Sequence, residues 1–341
     1  MKKRILSVLL VIILMLGLSA CGAKTDTNNS GNKGKTTVIK VAFNQQVTNP
    51  QYKALQEFSD KIYKRTNGAY KLDVYANELL GPQRESVELV QTGAIGMAVV
   101  SNSLIENFNK EFSVLGLPYL YDSKEHQNAV FKDKSIVGDL FKSTRDEGFE
   151  VLTSFHAGVR SVYSDKPVTK PADLKGLKIR IMESDTNVQM MKYMGGVGTP
   201  MAQSEVYTGV QSHIIDGGEN NEIIYSNMKH FEVAKYYSYT LHLMIPDYLI
   251  INRDLYDSMS TENKTIFDEE IQNATDRELK IWAVDVKDAI KTAKDAGVIF
   301  SYPDINLFKA EVKPFHEKVT QNPEYKELYD KVKAKGETIK K

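Results

Sequence analysis

The sequence predicts an α/β protein built as two lobes, and three observations predict it. Between Val38 and Val100 the apolar residues switch from strand-like alternation to helical spacing and back, twice, in the order β-α-β-α-β. That order implies a parallel sheet with right-handed crossovers. The body from about Thr36 to Lys341 has room for two domains of roughly 100–200 residues. From Thr261 to Ala296 a helical pattern runs without proline. At 1.5 Å per residue it extends roughly 50 Å, enough to cross both lobes.

Taken in order, Val38–Phe43 alternates as a strand. Tyr52, Leu55, Phe58 and Ile62 then share one face of a helix opened by Pro50 and ended by Asn67-Gly68. Tyr70, Leu72 and Val74 alternate in a second strand; Gly81-Pro82 opens a helix with Val87 and Val90 inward, and Ile95–Val100 is a third strand. Leu115–Tyr121 is an apolar connection, His126–Glu147 reads as helix, and Phe149–Phe155 and Gly158–Tyr163 read as strands. Leu177, Ile179 and Ile181 alternate with Lys178, Arg180 and Met182, and Ser184 or Asp185 caps the helix that follows. Gly195–Gly198 and Thr199-Pro200-Met201 read as loop and turn before a helix at Ser204–His213. Asp216–Asn221 reads as a polar turn that caps a helix over Glu222–Lys229. Val233–Leu243 and Tyr248–Asn252 are strands; Gly297 ends the long helix, Val298–Tyr302 is a last strand, and two helices finish the chain.

The start of the chain addresses the compartment. Lys2, Lys3 and Arg4 precede an apolar run, Ile5–Leu18, shorter than the roughly 20 residues of a membrane-spanning helix. This is the form of a secretory signal, here 1–20. Leu18-Ser19-Ala20-Cys21 resembles a bacterial lipobox, which implies cleavage before Cys21 and lipid on its sulfur and new N-terminus. Two acyl chains suffice for stable membrane attachment. The polar residues of 21–36 are expected to be a flexible tether. Cys21 is the only cysteine, so the body has no disulfide, no thiolate metal cluster and no cysteine nucleophile. Lys and Arg balance Asp and Glu at 44 each; removal of the signal takes three positive charges and leaves 41 − 44 = −3. No basic excess points to nucleic acid.

Catalytic and cofactor signatures are absent. The six histidines stand at 126, 156, 213, 230, 242 and 316, and none forms a zinc-type pair. There is no Gly-x-Ser-x-Gly elbow, no phosphate loop in the Gly195–Gly198 stretch and no alternating oxygen ligands of a calcium loop. No metal or cofactor is expected.

Binding chemistry is better placed. Arg180 lies near the end of a strand, at a strand-to-helix turn, where open α/β sheets put ligand groups. Its planar fork suits a carboxylate; the plain alternative is a surface arginine on a half-exposed strand. Asn44, Gln45, Ser101 and Asn102 follow strands at the same kind of edge, as ligand groups or as ordinary caps. In Asp216-Gly217-Gly218-Glu219-Asn220-Asn221 the glycines allow close backbone approach, and Glu219, Asn220 and Asn221 offer acceptors and donors. A turn with a helix cap explains the same residues.

Three motifs together carry a resemblance that covers nearly the whole body. They are Asp173-Leu-Lys-Gly-Leu-Lys-Ile-Arg180, Thr199-Pro-Met-Ala-x-Ser-Glu-Val-Tyr207 and Asp216-Gly-x-Glu-Asn220, supported by Leu117-Pro118-Tyr119-Leu120. The chain resembles the solute-binding subunit of tripartite ATP-independent periplasmic (TRAP) transporters, the DctP family. The resemblance implies a periplasmic-binding-protein-like fold with a ligand cleft between the lobes, lobe I from 37–157 and 246–285 and lobe II from 158–245 and 286–341. It implies a receptor, not an enzyme. Such a receptor closes on an organic acid and hands it to the small and large membrane subunits of an ion-coupled permease. Arg180 matches the family's carboxylate-binding arginine, Arg160 a second arginine and Asn220 the asparagine of its motif; Ser101 and Asn102 would line the site. Many relatives have an aromatic residue where this chain has Gln203, which suggests a more polar ligand. The stretch Glu232–Ser238 with His242–Pro246 looks like the branch that binds sugar acids such as glucuronate and galacturonate. A C4-dicarboxylate is the alternative ligand, and a secreted sugar-acid hydrolase or lyase the alternative of another class. The implied location is extracytoplasmic, lipid-anchored at the outer face of the membrane or periplasmic.

Overall fold

The structure is a computed structural model that describes residues 35–340. The expected signal, the Cys21 lipidation site and all of the expected tether but its last two residues lie outside that range. The described residues carry two sheets, and each sheet anchors one lobe.

The first sheet contains β1 (Thr37–Ala42), β2 (Tyr70–Tyr75), β3 (Met97–Ser101), β4 (Phe149–Phe155) and, from far along the chain, β10 (Asp247–Asn252), in the order β2-β1-β3-β10-β4. The first three strands are parallel, linked by helices α1 (Pro50–Arg65) and α2 (Gln83–Gln91), as the alternating pattern predicts. β10 enters antiparallel between β3 and β4, which makes the sheet mixed. Phe149, Val151, Thr153 and Phe155 point inward while their neighbours are half-exposed, the period-2 burial that fixes strand register. The region expected as one helix over His126–Glu147 is two, α3 (Lys124–Lys132) and α4 (Lys134–Ser143), because Asp133 leaves helical geometry to cap the second with its side chain.

The second sheet contains β5 (Arg160–Ser164), β6 (Lys178–Ile181), β7 (Val197–Pro200), β8 (Gly217–Asn220), β9 (Tyr236–Leu243) and β11 (Ile299–Ser301), in the order β11-β9-β5-β8-β6-β7. Helix α5 (Asp185–Tyr193) follows β6, capped by Ser184, whose hydroxyl accepts from the Asn187 N–H at 3.0 Å. Two strands of this sheet differ from the sequence expectation. Val197–Pro200, read as loop and turn, pairs in parallel with β6, and Gly217–Asn220, read as a polar turn, lies between β5 and β6. The glycines of β8 serve packing: a Cβ on Gly217 would sit 2.1 Å from the Tyr163 carbonyl oxygen, and one on Gly218 would sit 2.5 Å from the Tyr163 hydroxyl.

Helix α6 (Thr261–Asp295, 35 residues) joins the lobes. It packs against α1 and β4 of the first lobe and against the short helix Glu222–Asn227 of the second. A continuous apolar core runs from Val100 and Tyr248 in the first lobe to Ile179, Met190 and Leu243 in the second. Of the last helices, α7 (Ile305–Val319) packs on α5 and β9, whereas α8 (Pro323–Ile339) returns to α3 and α4 of the first lobe. There the Val332 carbonyl lies 2.8 Å from His126 Nε2. The expected division placed all of 286–341 with the second lobe.

Candidate functional site

A cavity lies between the facing edges of the two sheets, with about 390 Å³ of space not filled by atoms. The first lobe contributes Asn44, Gln45, Gln51, Gln83, Ser101 and Asp247. The second contributes Arg160, Arg180, Gln203, Asn220 and Asn221, and Trp282 of α6 closes one side. Gln46 Nε2 donates to the Asn227 carbonyl at 3.0 Å across the mouth, and the Ser204 N–H donates to Glu78 Oε2 at 3.2 Å. A second cavity under α4 is larger, about 990 Å³, but its walls include Phe131, Val137, Phe141 and Ile271, and it holds none of the unpartnered buried polar atoms found in the cleft.

Two arginines dominate the second lobe's wall. Arg160 opens β5 and Arg180 is third in β6; β8 runs between those strands. Both are buried, Arg160 at 5% and Arg180 at 3% exposure. Glu219 on β8, fully buried, grips Arg160 with both carboxylate oxygens, at 2.5 Å to Nε and 2.7 Å to Nη2. Its carbonyl takes a further Nη2 bond at 2.7 Å. Burial works against both charges. The Arg160 charge, with help from His242 at 3.5 Å, nevertheless draws the Glu219 carboxyl down to about 2, and Glu219 holds Arg160 above its ordinary range.

Arg180 has no such partner. Its Nε donates to the Met201 carbonyl at 2.8 Å and its Nη1 to Gln203 Oε1 at 3.3 Å. Glu219 and Glu78 act on it only from a distance, without a hydrogen bond. Burial pushes it below the ordinary arginine range, and the Arg160 charge adds to that push. Of the five N–H donors of a guanidinium, Nη2 has no protein acceptor among the described residues.

A chain of amides joins the two arginines. Arg160 Nη1 donates to Asn220 Oδ1 at 3.0 Å, and Asn220 Nδ2 donates to Gln203 Oε1 at 3.2 Å, the oxygen that also accepts from Arg180. Two donors on that oxygen fix the orientation of Gln203, so its Nε2 is a donor, buried and without a protein acceptor among the described residues. Arg180 and Gln203 together present donors only, the complement of a carboxylate.

The residues singled out in the sequence divide as follows. Arg160, Arg180, Gln203, Asn220, Asn221 and Ser101 line the cavity. Asn221 also caps the short helix after it and holds the Ala157 carbonyl at 2.8 Å. Glu219 lies behind Arg160, outside the lining. Asn102 also lies outside it: it is fully buried, donates to the Phe112 carbonyl at 3.1 Å and accepts from the Tyr248 hydroxyl at 2.9 Å. Gln51, Gln83, Asp247 and Trp282 escaped sequence reasoning. Each comes from a separate segment; Gln51 and Asp247, 196 positions apart, meet only through the fold.

Comparison with known proteins identifies the family. The family described as DctP, bacterial extracellular solute-binding protein, family 7, matches residues 42–322. A TRAP periplasmic solute-binding protein from Anaerococcus prevotii, solved with bound α/β-D-glucuronate, is 40% identical with a TM-score of 0.86, over 89% of this chain and 99% of that one. A TRAP periplasmic solute-binding protein from Xanthobacter autotrophicus, with bound β-D-galacturonate, is 32% identical with a TM-score of 0.84, over 87% and 99%. The 2,3-diketo-L-gulonate-binding periplasmic protein of Escherichia coli is 31% identical over 76% of this chain and 79% of its own. The chain belongs to the DctP family of solute-binding proteins. Its two-lobed α/β architecture is that of TRAP receptors, and the family is one of receptors rather than enzymes.

Proposed function

We propose that this receptor binds a sugar acid of the uronate type, holds the carboxylate on Arg180 and delivers the ligand to an ion-coupled TRAP permease of small and large membrane subunits. The observation that carries the reading is a buried guanidinium to which no carboxylate is hydrogen-bonded among the described residues. A buried charge left uncompensated is costly, so an anion that completes it favours the closed cleft by differential affinity. Bidentate pairing with Nη2 and Gln203 Nε2 answers both unpartnered donors. One such pair contributes roughly 1.5–3 kcal/mol per charge-assisted bond. A micromolar complex needs about −8 kcal/mol, so hydroxyl contacts must add the remainder. The uronates bound by the relatives named above support a ligand with both kinds of group.

The lipid anchor belongs to the same reading. Lipidation of Cys21 after signal cleavage would hold the receptor at the membrane face beside its permease, and Cys21→Ser should move it from the membrane fraction to the soluble one. The ligand class is tested by thermal unfolding against a panel of uronates, aldonates and C4-dicarboxylates. A ligand at 100 times its Kd adds about 2.7 kcal/mol to stability. A rise in midpoint with D-glucuronate or D-galacturonate is the expected result. A rise with dicarboxylates alone would replace the ligand class, and no rise with any acid would remove the role of Arg180.

A further inference from the structure

The cavity has a second polar end on the first lobe, and its chemistry is opposite to that of the Arg180 end. Asp247 opens β10, in register with Ser101 of β3 and Phe155 of β4. Gln51, in the first turn of α1, donates through Nε2 to Asp247 Oδ2 at 2.9 Å and to the His156 carbonyl at 3.0 Å. Two acceptors on one amide nitrogen fix the side chain's orientation. The remaining atom, Gln51 Oε1, is therefore an acceptor, buried and without a partner among the described residues. Asp247 is the only acid among the residues that line the cavity.

Burial raises the Asp247 carboxyl above its ordinary range; the hydrogen bond from Gln51 of α1 and, from a distance, the charge of Arg160 on β5 draw it back toward the carboxylate, although Glu219 already compensates that arginine. Glu278 of α6 lies behind, fully buried, and accepts from the His156 N–H at 3.3 Å. One helical turn further on, Trp282 meets the His156 ring edge-on at 5.1 Å and faces the cavity. One wall thus offers donors and a positive charge. The other offers acceptors and a carboxylate, with an indole beside them.

We propose that Asp247 and Gln51 form a hydroxyl-reading subsite: they accept hydrogen bonds from the hydroxyls of an acid whose carboxylate is on Arg180, and they reject a second carboxylate at that end. The inference rests on the Arg180 reading above and specifies the substrate class further, as polyhydroxylated monocarboxylic acids against dicarboxylic ones. A hydroxyl brings the donor that Gln51 Oε1 and Asp247 lack. A carboxylate brings only acceptors and a like charge, a repulsive element that serves discrimination. Sites built to hydrogen-bond a hydroxyl discriminate strongly against analogues without one, because their buried polar atoms are then left unpaired.

The test is calorimetric titration at pH 8 of D-glucuronate and of succinate into the wild type, Asp247→Asn, Gln51→Met and Arg180→Met, with thermal midpoints to establish that each variant is folded. Trp282, the sole tryptophan, gives an independent fluorescence readout of the same titrations. The wild type is expected to prefer glucuronate by at least 100-fold. Asp247→Asn should lower that preference at least tenfold, by weaker glucuronate binding and tighter succinate binding, and Gln51→Met should lower it less. Equal losses for both ligands, or an unchanged preference in folded Asp247→Asn, would overturn the subsite while leaving the receptor reading intact. Failure of the wild type to bind glucuronate, or undiminished binding by Arg180→Met, would overturn both.

Discussion

Arg160 and Arg180 occupy strands on either side of β8, both are nearly inaccessible to solvent, and they share a hydrogen-bonded chain of amides. They nevertheless differ in kind. Glu219 neutralises Arg160 from the middle strand, through two side-chain bonds and a carbonyl. Arg180 receives only the Met201 carbonyl and the Gln203 amide oxygen, both neutral. The first pair is a finished piece of architecture, which sets the edge of the sheet and positions Asn220. The second has no carboxylate hydrogen-bonded to it among the described residues, and in the proposed reading its complement is the carboxylate of the ligand. On that reading, burial and proximity to a cleft do not by themselves mark a binding arginine; the presence or absence of an internal counter-ion separates the two roles.

The largest expected effect breaks the closed half of the comparison. Glu219→Gln keeps the shape of the side chain but leaves Arg160 buried without its counter-ion, which should cost about 3–5 kcal/mol of unfolding free energy, read by denaturant titration. A loss below 1 kcal/mol would show that Arg160 finds compensation elsewhere.

The next effect concerns acid pH. Burial, with the Arg180 charge adding, pushes His230 down to about 3, and burial pushes His156 down to about 4. An unfolded histidine titrates near 6.5. Between about 6.5 and the folded values the unfolded chain binds protons that the folded chain refuses. Stability is therefore whole above that window and falls as pH falls through it, by on the order of 3 kcal/mol per histidine. Asp247, Glu106 and Glu278, raised chiefly by burial, act in the opposite sense above the ordinary carboxylate range. The histidine contribution is thus isolated by comparison with His230→Gln, whose stability should fall less steeply with acid. Parallel pH profiles would contradict it.

Removal of the open arginine should have a smaller effect on stability, with the opposite sign from removal of Glu219. Arg180→Met deletes a buried charge that no hydrogen-bonded carboxylate neutralises among the described residues, and the unliganded unfolding free energy should stay level or rise, by up to about 1–4 kcal/mol in comparable replacements. A large fall would mean that Arg180 is structural, like Arg160. The smallest effect on stability is that of Gln203→Leu, which removes one neutral acceptor from Arg180 and the Nε2 donor assigned to the ligand carboxylate. It should weaken ligand binding by about 1.5 kcal/mol, roughly tenfold, with little change in stability.

Much of the fold was legible where local pattern and tertiary environment agree. The alternation of Phe149–Phe155 and the uninterrupted helical spacing of Thr261–Asp295 predict what forms. The strands Val197–Pro200 and Gly217–Asn220 were not legible, because Gly, Pro and Asn read locally as turn residues. They become strands because β6 pairs with both, and because Tyr163 fills the volume that side chains on Gly217 and Gly218 would need. In the site, the strand-to-helix turn at Arg180 left a surface arginine as the plain alternative, and the family motif around it singled it out; the structure buries it at the cavity wall. The difference between it and Arg160 was not legible, since it depends on which face of β8 presents Glu219. Ser101 and Asn102 are adjacent in sequence, but only the first lines the cavity, while the second is tied to Phe112 and Tyr248. Asp247, Gln51 and Trp282 carry no local motif and are brought together by β10, α1 and α6.

The measurement that bears most directly on the central claim is calorimetric titration of D-glucuronate into the wild type and Arg180→Met side by side. Truncation of one partner of a buried, hydrogen-bonded charge pair costs about 2–5 kcal/mol. The account predicts a saturable wild-type complex and a loss of at least about thirtyfold in a variant that remains folded. A variant that binds D-glucuronate as tightly as the wild type would contradict it, and the cleft's anion would have to be held elsewhere.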